Sequence, residues 1–202
     1  MKIAVLGASG RAGSEITREA AARGHDVLAI ARNPEKIPTG EGIAAIAGDA
    51  SDADSLASLI AGRDATISAL HFDIPAETLL AAVRKAAVPR LLVTGGAGSL
   101  EIAPGVRLVD TPDFPAEWKE FALGGVEFLD ALKSVTDVDW TFFSPAALIF
   151  EGPRTGSYRP GVDQLVIDEN GESKISFADY AIAMIDELET PKHGRARFTA
   201  GY

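Results

Sequence analysis

Three glycines spaced three residues apart, Gly7, Gly10 and Gly13, constrain this chain more than any other feature. They follow a five-residue apolar run at residues 2–6 and open an alanine-rich amphipathic stretch at residues 11–23. At each point the backbone asks for the absence of a side chain. Gly7 would make the tight turn, Gly10 would let a phosphate approach the main chain, and Gly13 would let a helix lie close against the strand. A helix begun in this way points unpaired N–H groups and a partial positive charge at an anion, and Arg11 adds a formal one. A strand, a glycine loop and a helix in this order predict a parallel α/β sheet that binds a dinucleotide on Gly7, Ala8, Ser9, Gly10, Arg11, Ala12 and Gly13.

The rest of the chain continues the alternation. Apolar runs at 26–31, 42–47, 64–70, 89–94 and 138–144 read as further strands. Helical patterns at 52–61, 75–87, 115–134 and 176–189 separate or follow them, with Gly24 and Gly62 placed as helix-terminating glycines. Residues 100–115 read as a long loop with one short strand. Residues 151–161, rich in Gly, Pro and Arg, predict a mobile flap. Residues 165–167 and 173–175 read as a hairpin around Glu169-Asn170-Gly171, and 195–199 as an exposed last strand. Neither an internal repeat nor a linker divides the 202 residues, so a single domain is expected, a doubly wound, three-layer α/β fold with a parallel sheet between helices.

Two further points bear on the ligand. The second strand ends Ala31-Arg32-Asn33 with no carboxylate at residues 29–33. An acidic residue there would hold a ribose 2′-hydroxyl, whereas an arginine accommodates a 2′-phosphate. Arg32 and Asn33 thus favour NADP(H) over NAD(H). In Gly48-Asp49-Ala50 the carboxylate closes the third strand beside the expected adenine site, where it can accept from the adenine amino group or cap the next helix. Ser68-Ala69-Leu70 and Thr94-Gly95-Gly96 end the fourth and fifth strands, at the crest where ligands of open α/β sheets lie. Pro145, ending the sixth, is expected to shape the nicotinamide wall.

Composition narrows the partners. A formal net charge of −10 argues against nucleic acid, whose binding rests on clustered Lys and Arg. No apolar run is long enough to span a bilayer, and the first six residues read as a core strand rather than a signal peptide. The chain has no cysteine, which excludes disulfides and fits a reducing, cytoplasmic setting. His25, His71 and His193 are scattered, so no metal site is expected. A small-molecule acceptor is the expected partner, with the protein a monomer or homodimer. The last strand and the helix around Trp118 are possible contact surfaces.

The stretches Val5 to Gly10, Ala31-Arg32-Asn33, Gly48-Asp49, Val93 to Ser99 and Trp140 to Pro145, with Ile175 to Ala181 near the end, resemble the atypical short-chain dehydrogenases. The resemblance is to the NAD(P)H-binding branch that holds NADH-flavin reductase-like proteins, biliverdin reductase B and the NmrA-like redox sensors, and it covers nearly the whole chain. It implies a Rossmann fold with a small C-terminal substrate-side region, and hydride transfer to a flavin, quinone or other conjugated acceptor, with flavin as substrate rather than resident cofactor. The alternatives are a non-catalytic redox sensor and, less favoured, an epimerase or dehydratase. One departure matters. The wider family carries a Tyr-x-x-x-Lys pair, but Pro115 stands four residues before Lys119. Proton transfer from a lysine-activated tyrosine is therefore not expected. His71 and Ser99 are the candidate proton donors or orienting groups, and Tyr158 and Arg159 in the flap are the candidate substrate contacts. Ser176 and Asp179 form a helix-capping pattern and are read as structural.

Overall fold

The computed structural model describes all 202 residues. Strands β1 (Lys2–Leu6), β2 (Asp26–Ala31), β3 (Ile43–Ala47), β4 (Ala65–Ser68) and β5 (Arg90–Thr94) alternate with helices α1 (Arg11–Ala22), α2 (Ala53–Ile60) and α3 (Ala76–Lys85). A short hairpin, β6 (Glu101–Ala103) and β7 (Val106–Arg107), precedes the long helix α4 (Ala116–Lys133). Then come β8 (Asp139–Ser144), β9 (Leu148–Phe150), β10 (Arg159–Gly161), β11 (Lys174–Ser176), α5 (Phe177–Glu189) and β12 (Ala196–Gly201).

Eight strands form the central sheet in the order β10-β12-β8-β5-β4-β1-β2-β3, all parallel except β10. Because β1 lies between β2 and β4, the connections leave it in opposite directions, which opens a crevice at its carboxyl end. Alternation of side chains along each strand supplies both faces. Ile3 and Val5 face the layer of α1 and α5, while Ala4 and Leu6 face that of α2, α3 and α4. The expected doubly wound, three-layer architecture is therefore present.

The second half of the chain departs from the sequence reading in four places. Residues 165–167 form no strand. Lys174–Ser176 pairs instead in parallel with β9, which the sequence reading did not foresee. The 100–115 stretch holds two short strands rather than one. The last strand is not an exposed edge: β12 is sandwiched between β8 and β10, with Phe198, Thr199 and Ala200 buried. Residues 151–158 are tied down along α1 and α5. Arg154 donates to Glu19 at 2.9 and 3.0 Å, the Asp179 carboxylate accepts from the backbone of Thr155 and Gly156, and the Tyr158 hydroxyl donates to Asp186 at 2.6 Å. Gly and Pro content suggested mobility, but a buried carboxylate collects the free N–H groups of the segment.

Helix α5 is the buttress of this half. Ser176 caps it, accepting from the Asp179 N–H at 3.0 Å, as the capping pattern required. Tyr180, Phe143, Phe198 and His193 stack in sequence, with ring centroids 4.0, 4.1 and 4.7 Å apart. Near its C-terminal end, Glu187 accepts from Arg90 at 2.8 Å, from the His193 ring and from the backbone N–H groups of Lys192 and His193. Both charged side chains are almost wholly buried, 3% exposed for Glu187 and 8% for Arg90. Burial alone would raise the Glu187 carboxyl. The hydrogen bonds from His193 and Lys192 outweigh it and hold the group below its ordinary value of 4.5.

Two outcomes follow from this pair. Glu187→Leu removes the buried partner of the Arg90 charge, leaving it only Asp139 at 3.9 Å, and is expected to cost about 3–5 kcal/mol in urea unfolding, whereas Arg90→Met with Glu187→Leu recovers only part of the loss, because the N–H groups of Lys192 and His193 stay unpaired. A carboxyl depressed on folding stabilises fully above its unfolded pKa and loses that contribution as pH falls through the folded one. The urea midpoint should thus hold from neutrality to about pH 5 and fall below it, and the Glu187→Gln variant should show a shallower decline.

Candidate functional site

Gly7 turns the chain out of β1 with φ +72°, and a Cβ built on it would lie 2.4 Å from the Ala69 carbonyl oxygen beyond β4. A Cβ on Gly13 would lie 2.2 Å from the Gly7 carbonyl oxygen. Both glycines are therefore demanded by the protein's own packing. Gly10 differs: its Cβ would meet only the Gly7 oxygen, at 3.3 Å, and the residue is exposed. The Gly10 N–H donates back to Gly7 at 2.9 Å, and the first helical bond runs from Ser14 N–H to Gly10 at 2.8 Å. The N–H groups of Arg11, Ala12 and Gly13 are left without a partner in the protein. Three donors at a helix N-terminus, facing the β1/β4 crevice, fit a pyrophosphate. Arg11 is exposed and carries its guanidinium 5.1 Å from the Phe177 ring, so its charge stays beside the loop.

The adenosine end is assembled by β2 and β3, where Ala31 and Ala47 are in register. Arg32 and Asn33 leave β2 exposed, and Gly48 donates its N–H to the Ala31 carbonyl at 3.1 Å. Gly48 has no room for a side chain, since a Cβ would lie 2.6 Å from Ile30. Asp49 is not the cap of α2. Asp52 is, accepting from Ser55 N–H at 2.6 Å. Asp49 instead accepts from Ser51 N–H at 2.9 Å through one oxygen. That bond, with a smaller contribution from the nearby Arg32 charge, holds its carboxyl below the ordinary range. Arg32, Asp49 and Ala50 thus share one corner, as the sequence reading placed them.

On the side expected to face the nicotinamide, Ala69 N–H bonds to Leu6 at 2.9 Å, and the Leu70 side chain packs 3.3 Å from the position of a Gly7 Cβ. Ser68 is buried at the end of β4, and Thr94 and the two following glycines are half-buried. Gly95 lies against the Phe142 ring, which a Cβ would meet at 2.3 Å. The Phe143 carbonyl fixes this turn, accepting from Gly95 N–H at 2.7 Å and from the Tyr180 hydroxyl at 2.7 Å. Pro145 is buried just beyond β8. The residues expected to line a dinucleotide therefore converge on one edge of the sheet.

The proposed chemistry and substrate residues fare differently. His71 is exposed beside this edge and meets the Phe121 ring edge-on at 5.6 Å. Ser99 is buried, and its oxygen accepts from Arg197 at 3.1 Å, which ties the loop to β12 rather than presenting a hydroxyl to a ligand. Tyr158 and Arg159 are not brought to the site. The Tyr158 hydroxyl sits on Asp186, which also binds Arg23 at the far end of α1 from the glycine loop. A twelve-residue helix puts those ends about 18 Å apart. Arg159 donates to the carbonyls of Ile167 and Tyr202 at the sheet edge. Both expectations rest on reading the segment as a flap, and its anchoring on α1 and α5 turns it the other way.

The structure also extends the missing-tyrosine argument to every tyrosine in the chain. Tyr158 donates to Asp186, Tyr180 to the Phe143 carbonyl, and Tyr202 lies 3.0 Å from Ser176 Oγ and 2.6 Å from Asp179. Burial pushes the Tyr158 and Tyr180 hydroxyls well above their ordinary pKa. None offers a proton to a ligand at the strand ends. The sequence reading missed Phe72, Phe121 and Gly125, which build the wall beside His71; single aromatics in a loop and a helix carry no motif.

Comparison with known proteins decides the family: residues 7–191 match the model of the NAD(P)H-binding family. The chain belongs to it. Solved structures agree over the whole length. A proposed epimerase from Bacteroides thetaiotaomicron is 45% identical, with a TM-score of 0.94 over 100% of this chain and 96% of that one. A proposed exported protein from Burkholderia pseudomallei is 46% identical, TM-score 0.91, over 100% of both chains. A proposed NADH-flavin reductase from Streptococcus pneumoniae is 37% identical, TM-score 0.87, over 100% of this chain and 99% of that one. The NAD(P)H-binding, reductase-like fold is thus shared by proteins described in three different ways. No helix is long and apolar enough to cross a membrane.

The glycines of the loop separate packing from binding. Gly13→Ala is expected to lower the urea midpoint clearly, because its Cβ has only backbone to displace. Gly10→Ala should fold within about 1 kcal/mol of the parent yet weaken nucleotide binding about tenfold or more, as read by titration with NADPH.

Proposed function

We propose that this family member is an NADPH-dependent reductase that delivers a hydride to a planar conjugated acceptor such as a quinone or a flavin. The observation that carries the reading is a contrast at one edge of the sheet. The dinucleotide half offers three free N–H donors at the β1/β4 crevice, whereas none of the three tyrosines has a proton to give there. Alcohol–ketone exchange needs such a proton at the carbonyl oxygen. A conjugated ring does not, since it takes hydride at one atom and a proton from water at another.

When bound, the reduced nicotinamide supplies the hydride. The protein's part is positioning and exclusion of water, which can account for most of a bimolecular barrier reduction. The N–H groups of residues 11–13 would hold the pyrophosphate, and Arg32 would hold a 2′-phosphate with Asn33 beside it. The free oxygen of Asp49 would accept from the adenine amino group. The turn Thr94-Gly95-Gly96 and Pro145 would set the nicotinamide plane. The proposed exchange is with a small molecule in a reducing cytoplasm by a monomer or homodimer.

A second reading, a redox sensor that binds the nucleotide without turnover, is favoured by the same lack of a free tyrosine hydroxyl. Titration with NADPH and NADH, followed by NADPH oxidation with menadione, separates them. Saturable oxidation supports the reductase, binding without turnover supports the sensor, and failure to bind either nucleotide overturns both. Arg32→Ala should weaken NADPH about tenfold or more, the loss of a hydrogen bond to a charged group, and leave NADH within about twofold.

A further inference from the structure

Opposite the dinucleotide residues, the loop after β4 and the first turns of α4 enclose an aromatic base. Phe72 is half-buried at its centre, 5.4 Å from Phe121, 5.6 Å from Phe128 and 6.3 Å from Phe142 by ring centroids. Glycines make room for it: a Cβ on Gly125 would lie 2.8 Å from its ring, and one on Gly96 3.7 Å. Phe72 therefore joins the Gly95-Gly96 turn to α4. Above it Phe121 is 46% exposed, with His71 edge-on to its ring at 5.6 Å. Trp118, three residues earlier on the same helix face, is 57% exposed. Large rings grouped in this way beside a strand-end cleft mark a binding surface.

The charges around these rings all but share one sign. Asp73 lies in the loop after β4, Glu77 in the first turn of α3, Asp113 just before α4, and Glu117 and Glu120 in its first turns, and within residues 71–77 and 113–121 the single cation is Lys119. The nearest arginine in sequence, Arg107, is committed to Asp110 through two hydrogen bonds of 2.7 and 3.2 Å. Glu117 also occupies the first turn of α4, where it offsets the partial positive charge that would otherwise welcome an anion.

We propose that Trp118, Phe121 and His71 form the acceptor platform of the reductase, and that the surrounding carboxylates restrict it to uncharged planar rings. Quinones and unphosphorylated isoalloxazines fit; acceptors carrying a phosphate, as FMN and FAD do, are repelled. This rests on the reductase reading above. In the reaction the ring gains the hydrogen and two electrons of one hydride and takes a proton from water, while the dinucleotide is oxidised.

Riboflavin and FMN test this directly, because they share one ring system and differ by a phosphate. At saturating NADPH and low ionic strength, KM for FMN should exceed that for riboflavin about tenfold or more, with similar kcat. The gap should narrow at about 0.5 M salt, where charges are screened within a few ångströms, and in the Glu117→Gln/Glu120→Gln variant. Phe121→Ala should raise KM for both rings without changing NADPH affinity. Binding has its own readout: riboflavin should quench the fluorescence of the NADP-bound protein, and Trp118→Phe should abolish the quenching, since Trp140 is buried. Equal KM values at low salt, or a gap indifferent to salt and to the charge variant, would overturn the selectivity while leaving the reductase reading intact. Quenching without NADPH oxidation would overturn the reductase reading and leave the platform. NADPH binding with neither quenching nor oxidation would overturn both.

Discussion

Three backbones meet where β1 ends. The Gly7 α-carbon faces the carbonyl of Ala69 beyond β4, and Gly13 in the first turn of α1 faces the carbonyl of Gly7, each too closely for even a methyl group. This crossing exists because β1 is central, with one half of the sheet built away from it toward β2 and β3 and the other toward β4, β5, β8 and β12. Only glycine lets α1 close onto the strand at that point. The closure in turn aims three unpartnered N–H groups at the crevice between β1 and β4. The binding edge is thus a consequence of how tightly the first helix packs.

The other half of the sheet supports the edge through a different device. The Phe143 carbonyl holds both the turn at Gly95 and the Tyr180 hydroxyl, so α5 reaches the nicotinamide side through a single acceptor. Tyr180 stacks on Phe143, and Glu187 anchors the far end of the same helix to Arg90 on β5. Asp179 then uses its carboxylate on residues 155, 156 and 202 rather than closing the cap reciprocally with Ser176. These bonds commit the segment that follows β9 to the α1–α5 face. They leave the proposed acceptor side bordered by α4 and the loop after β4.

On that side the chemistry is set by what is absent as much as by what is present. The three tyrosine hydroxyls are spent on structural partners, while the rings of Trp118, Phe121 and His71 remain exposed. A surface of this kind orients flat apolar molecules and contributes little acid–base catalysis. It suits hydride transfer, in which alignment of two rings is the main requirement.

The dinucleotide half was legible in the sequence. Glycines at 7, 10 and 13, the arginine at 32 and the strand ends at 68–70 and 94–96 lie within short, local patterns whose geometry follows from the backbone itself. Gly10 is the instructive member, since only the tertiary structure shows that its small size is not required by the protein's own packing. The flap, the β9–β11 pair and the interior position of β12 were not legible, because each depends on partners far away in sequence. Tyr158 and Arg159 were misplaced for that reason: their composition suggested a lid, and Asp186 and the Tyr202 carbonyl, some 30 to 40 residues away, drew them elsewhere. The proposed acceptor wall likewise comes from Phe72 in the loop after β4 meeting Phe121 on α4. By itself the sequence determined the α/β class and the nucleotide-binding loop, since backbone sterics act over a few residues. Which aromatic side chains meet beside the strand ends was decided only by long-range packing, which no local pattern encodes.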